Sequence, residues 1–280
     1  MSSDIKSAKW AAIDPAVIGA VADARVQVHH AAQFPSAFGI SFLAHARDDS
    51  HTNLAWDAAN GALASGRIPG SDIAVALQVA ELAVLVLVGA KLHATIPLAG
   101  RTTDEVATPL RSAISAAGAD GTRFTLRRHF EIPDHPVAHG ARFNATPAHC
   151  AQLAHVFADG DLLLGDIART PRGGSAVRCW PHHFDIATLL NFPGGRSNSI
   201  GLSAGDHFYE APYAYVNVHP ATAGSAKAEP LQGEGSWHTD GWVGAVLPLT
   251  RLSADAGAQE AQLRAFYATA AAACERLVTR

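Results

Sequence analysis

The order of hydrophobic periods along the chain predicts an α+β fold: mainly antiparallel sheet in two strand-rich halves, with packing helices. Three observations carry this expectation. Five short apolar runs lie between residues 54 and 98, separated by turn residues. Four segments, 15–33, 102–117, 146–168 and 258–278, read as helices. A second group of extended runs fills residues 177–249. Strands in groups with helices between them give α+β, whereas strict alternation would give a parallel sheet.

The elements follow in order. Asp14 can cap a helix over 15–33, Pro15 suits its first turn, and Val17, Val21 and Val28 supply an apolar face. Pro35 is expected to stop or kink it, leaving 38–43 as a short apolar piece and 47–51 (RDDSH) as a polar loop. Residues 54–57, 62–67, 73–81, 82–88 and 91–98 read as an antiparallel meander, punctuated by Asn60-Gly61, Pro69-Gly70 and Gly89. Thr102 or Thr103 caps the next helix, with Asp104 and Glu105 in its first turn. A strand over 123–132 and a loop over 133–142 come next. Thr146-Pro147 then opens a helix that is amphipathic through Leu153, Val156, Phe157, Leu163 and Ile167. After a linker at 170–175, strands are expected at 177–192, 199–203, 213–219 and 243–249, and an alanine-rich helix closes the chain. The whole reads as one α+β unit over 1–280. If it divides, the subdomains are 1–132 and 133–280, an order a duplication would leave, although no sequence repeat is present.

Composition removes several function classes. With 280 residues, 48% hydrophobic and only 16% charged, the chain is globular and not disordered. A net charge of -4 and a pI near 6.4 argue against a nucleic-acid or anionic-membrane surface. The longest apolar run, 82–90, is far short of the roughly 20 residues a spanning helix needs. Three cysteines without a CxxC fit a reduced, cytoplasmic setting, and the first residues lack the basic and apolar regions of a signal peptide. No Walker loop, GxSxG, strand-bound GxGxxG or HExxH is present. The 15 histidines are the unusual feature.

Imidazoles and carboxylates cluster in three places. In RCWPHHFD, residues 178–185, a strand would put His183 and Asp185 on one face. In SWHTDGW, residues 236–242, His238 and Asp240 would do the same. Converging, His183, Asp185 and His238 have the types of a two-histidine, one-carboxylate metal triad, with Asp240 as fourth ligand or supporting partner. The bland alternative is histidines hydrogen-bonding in a sheet beside aromatic residues. In VHHAAQ, His29 and Gln33 share a helix face. His29, with His51 from the polar loop, can serve as an acid/base group, and Gln33 can bind substrate; the competing reading is a satisfied core histidine and a surface one. In GDHFYEAPYAY, residues 205–215, Tyr209, Tyr213 and Tyr215 with His207 and Glu210 look like the wall of a pocket, which Trp237 would also line, or else like an aromatic edge strand.

Two resemblances follow from these residues. The spacing from His183-x-Asp185 to His238, with Arg251 after it in RLS, resembles iron/2-oxoglutarate oxygenases. It implies a double-stranded β-helix and a cosubstrate-binding role for Arg251. The ordered series His29 to Gln33, His51, FEIPDHP, SAVRCWPHHFDIA, GLSAGD, EAPYAY and LPL resembles a bacterial family known as a domain of unknown function, over about 28–267. That resemblance implies one α+β architecture and interest in His29, Gln33, His51 and Asp185, and it brings no activity. The chain departs from that pattern at His182, His183 and His238, where imidazoles replace small residues and an asparagine.

Two function readings therefore stand together. One is an enzyme acting on a small molecule through a divalent metal ion, oxidative with iron and hydrolytic with zinc or manganese. The other is a metal-free domain binding a small hydrophobic ligand. A homodimer is compatible with either, as is docking of a partner on the final helix.

Overall fold

A computed structural model describes residues 9–171, 173–220, 230–231 and 233–279. Two antiparallel sheets and six helices make an α+β fold. The first sheet is the meander β1 (Ala55–Asp57), β2 (Ala62–Ala64), β3 (Ile73–Gln78), β4 (Ala83–Val88) and β5 (Lys91–Pro97), each strand beside its sequence neighbour. The turn residues do what their chemistry allows: Gly61, Gly70 and Gly89 all take positive φ.

The second sheet comprises β6 (Arg178–Trp180), β7 (Asp185–Phe192), β8 (Arg196–Ser203), β9 (Tyr213–His219), β10 (Ser236–His238) and β11 (Gly244–Pro248). Its spatial order is β10-β11-β9-β8-β7-β6. The two sheets meet where Leu54 and Cys179 exchange backbone hydrogen bonds of 3.0 and 2.8 Å.

At the N-terminal end, α1 (Pro15–Ile18), α2 (Ala22–Ala31) and α3 (Gln33–Phe42) replace the single expected helix. Asp14 caps α1 through Ala16 and Val17, as its residue type demands. Pro35 interrupts the helix rather than stopping it: α2 ends at Ala31, whose carbonyl Pro35 has no N–H to meet, and α3 resumes at Gln33. It lies in the first turn of α3, where its missing N–H costs nothing. The apolar piece at 38–43 is the rest of that helix. Further on, α4 (Thr103–Ala116) starts with a capping box between Thr102 and Glu105. The two long helices are α5 (Pro147–Ala168) and α6 (Ala256–Thr279).

Two expected strands are corrected. Residues 123–132 form no strand: a 3-10 turn at Gly121–Arg123 leads into irregular backbone. The Arg123 amide closes the 3-10 turn on the Asp120 carbonyl and the Thr125 amide donates to Ser41 Oγ, so neither is left for a ladder. The run at 177–192 is broken by a tight turn at 181–184. There Phe184 takes φ 58, a left-handed conformation unusual for an aromatic residue.

Strand alternation gives the second sheet two different faces. Ile186, Ile200, Leu202, Ala214, Val216, Ala245 and Leu247 are buried in the main core, against which α5 and α6 pack. That core runs from Ile13 to Cys274. The opposite face carries Asp185, Ala187, Ser199, Ser203, Tyr213 and Tyr215. Among the described residues no helix is long and apolar enough to cross a membrane, and all three cysteines are free and buried.

Candidate functional site

The polar, aromatic face of the second sheet opens into a cavity of about 630 Å³, within the range of small-molecule sites. Its floor is built by alternation: Asp185 and Leu189 on β7, Ser199 and Ser203 on β8, and Tyr213, Tyr215 and Asn217 on β9. Arg25 and His29 of α2, the turn residues His182 and His183, the loop 205–208, Trp180 and Trp242 wall it. Room for the floor comes from Gly201. A Cβ there would lie 2.6 Å from the Tyr215 ring and 2.8 Å from the Ile186 carbonyl.

Asp185 is buried on this floor, where Tyr215 donates its hydroxyl to Oδ2 while Oδ1 has no partner. Burial raises its carboxyl above the usual carboxylate range, against the opposing pull of His183 and Tyr215. Beside it Tyr213 donates to Asp206 at 2.6 Å, and Asp206 also accepts from the backbone of Phe208 and Tyr209. The neighbouring carboxylate and burial push the Tyr213 and Tyr215 phenols up, so both remain donors at neutral pH.

A group of imidazoles stands beside the cavity. His45, Asp49 and His51 offer three ligand atoms, all within 4.8 Å of one another. Local structure explains the convergence. After α3 the chain turns back, Asp49 takes φ 57, and a 3-10 turn at Ser50–Thr52 presents His51 beside His45. The backbone N–H of Ala46 donates to His51 Nδ1 at 3.3 Å, and Nε2 has no hydrogen-bond partner among the described residues. His129 Nε2 lies 3.1 Å from Asp49 Oδ1, and the His129 and His51 rings stack at 6.3 Å. Two imidazoles and a carboxylate suit zinc, manganese or iron, and three protein ligands leave a position open for water or substrate. Their separation slightly exceeds the roughly 3–4 Å kept by ligands on bonds of about 2.1 Å, so binding would draw them together.

This group and the cavity are neighbours. Phe130 packs against His129 at 5.2 Å on one side and against His182, on the cavity wall, at 5.6 Å on the other. Burial lowers the His182 pKa to about 4, so its ring is neutral near pH 7.

The structure does not bring the metal set expected from sequence together. His183 is exposed in the turn at 181–184, not on a strand, so it shares no strand face with Asp185. His238 lies at the end of β10 with both ring nitrogens committed. Nε2 donates to the Asp240 carbonyl at 2.6 Å and Nδ1 accepts from the Tyr209 hydroxyl at 2.9 Å. Its ring also stacks on Trp242 at 4.2 Å. The exposed Asp240 thus supports His238 through its backbone rather than its carboxylate.

His29 is 2% exposed and donates Nε2 to the Pro181 carbonyl at 2.8 Å. Gln33 donates to the same oxygen at 3.0 Å, so the pair fastens the 181–184 turn. Burial drops the His29 pKa to about 3. Tyr213 lines the cavity, whereas Tyr209, Trp237 and Arg251 do not. Arg251 is exposed on the 3-10 turn Leu249–Arg251, and the two sheets are not the double-stranded β-helix that its expected role needs.

Sequence reasoning passed over His45, Asp49, His129 and Arg25, whereas Tyr215 lies in the predicted tyrosine wall and does line the cavity. A signal for the first two was present: HARDDSH holds two imidazoles and two carboxylates in seven residues. Comparison with protein-family models, curated proteins and solved structures finds no match for the chain. The reading of the site therefore rests on its geometry.

Proposed function

We propose that the protein is an enzyme acting on a small molecule, with one divalent ion held by His45, Asp49 and His51. The observation that carries this reading is the convergence of those three side chains, with the rings of His129 and Phe130 between them and a substrate-sized cavity. Such an ion would supply Lewis acidity and an activated water if zinc or manganese, or an oxidative centre if iron.

The chain's own residues have defined parts. His129 orients Asp49 by its contact with Oδ1, as partners of metal ligands do. His182, neutral and on the cavity wall, accepts a proton from a substrate in the cavity. Asp185, held toward its neutral form and supported by Tyr215, donates a hydrogen bond at the floor. Trp180, Phe208 and Trp242 exclude water around the substrate body.

The aromatic lining favours a second reading, a binding domain without catalysis. Metal content by mass spectrometry separates the two. About one equivalent of zinc, manganese or iron is expected in the wild type, lost in His51→Ala and Asp49→Ala but kept in His238→Ala. Less than about a tenth of an equivalent after reconstitution with each metal would leave only the binding domain.

A further inference from the structure

Arg25 presents a charge that the fold does not neutralise. It lies on α2, is 8% exposed and lines the cavity. Its Nη1 donates to the Gly205 carbonyl at 2.9 Å, while Nε has no partner. Neither Nε nor Nη2 meets a protein acceptor among the described residues, and no carboxylate there comes within ion-pair distance of the guanidinium. Asp206 and Glu210 act on it only through space. Asp206 is engaged by three other donors, the Tyr213 hydroxyl and the Phe208 and Tyr209 amides. Glu210 is exposed.

A buried guanidinium with idle donors costs free energy unless an anion completes it, and a planar fork of N–H groups fits a carboxylate. The rest of the cavity agrees with that occupant. His29 and His182 are neutral and do not compete for the anion. Burial holds the Asp185 carboxyl toward its neutral form, and the Asp206 carboxylate on the wall is already met by three donors. Trp180 enters from the β6 edge and Trp242 from the β11 side, flat walls for an apolar body.

We infer that the cavity binds a small organic carboxylate, its anionic group on Arg25 and its flat apolar body between Trp180, Phe208 and Trp242. This deepens the proposed function by naming a substrate class. It stands on Arg25 and requires no metal at His45, Asp49 and His51.

The test is a nuclear magnetic resonance titration of the chelator-treated protein with benzoate and with benzamide, its uncharged isostere, following the Arg25 Nε–H and tryptophan Nε1–H signals. Benzoate is expected to shift the Arg25, Trp180 and Trp242 signals saturably below about 10 mM, and benzamide to bind at least about tenfold more weakly. Arg25→Met should abolish the preference for benzoate, and Arg25→Lys should retain part of it. Equal binding of the two probes, no saturable shift with benzoate, or a preference unchanged in Arg25→Met would each overturn the inference. The wild-type comparison decides even if Arg25→Met fails to fold. Metal content is read separately on protein not treated with chelator: benzoate binding together with less than about a tenth of an equivalent of metal after reconstitution would sink the metalloenzyme and leave this site standing.

Discussion

His29 shows how a side chain with ligand chemistry is used up by the fold. Its ring stacks on Phe184 with centroids 4.8 Å apart and planes within 8°, and its one donor goes to the Pro181 carbonyl. Both contacts hold the turn in which Phe184 adopts its left-handed backbone. His29→Phe keeps the stack and removes the donor, and should cost about 1–2 kcal/mol. His29→Ala also opens a void against Phe184 and should cost roughly 3 kcal/mol or more. Urea unfolding of both variants checks this, and equal losses would mean that the stack contributes nothing. The chain's residue types were legible at this scale, but their partners were not. Nothing in SWHTDGW says that His238 will be closed off by Asp240's own carbonyl and a tyrosine from the loop between β8 and β9. Nothing near Arg25 says that its guanidinium will be buried without a counter-charge. Those outcomes depend on residues distant in sequence.

At the scale of elements, the candidate metal ligands are positioned by the packing of α3 against the 3-10 turn at Ser50–Thr52. Gly39 makes that contact. A Cβ there would sit 2.1 Å from the His51 carbonyl oxygen, against backbone that has no rotamer to give way. Gly39→Ala must therefore displace the turn and with it His51. It should lower metal content by at least about tenfold while touching no ligand, since ligand sets tolerate only small shifts. Metal analysis of folded Gly39→Ala protein with undiminished content would show that the turn does not set the site.

The meander was readable because Asn60-Gly61, Pro69-Gly70 and Gly89 mark its turns and its strands pair with sequence neighbours. The break at 181–184 had one signal, Pro181, which cannot donate to a ladder, whereas the left-handed residue there is a phenylalanine, which carries no turn signal. Residues 123–132 looked extended, but a 3-10 turn takes the Arg123 amide and Ser41 takes the Thr125 amide. HARDDSH looked like a solvated loop, because its meaning comes from the angle at which α3 delivers it.

Across the whole molecule, the segment before α1 is tied down by the two long helices, and one titrating group sits in that closure. Asp159 of α5 accepts from the Ala11 amide at 2.8 Å through Oδ1, while Oδ2 has no partner and the residue is 1% exposed. Gln259 of α6 binds Ile13 and Trp10 beside it. Burial raises the Asp159 pKa to about 8, with Glu260 adding to the effect. The sign follows from proton counting. Between about pH 4 and about pH 8 the folded chain holds a proton at Asp159 that the unfolded chain has released, so stability falls as pH rises through that window. Below the window both states are protonated, and above it both are ionised, so the slope vanishes at each end. An upper bound for the loss is on the order of 5 kcal/mol. Asp159→Asn keeps the acceptor for Ala11 and cannot ionise. The stability gap between variant and wild type should therefore widen steadily from about pH 4 to about pH 8 and stay constant above, in favour of the variant. Urea unfolding at several pH values reads this directly. Parallel pH curves would mean that Asp159 ionises as easily in the fold as in the open chain. Its contact with Ala11 would then hold the N-terminal segment without penalty at any pH.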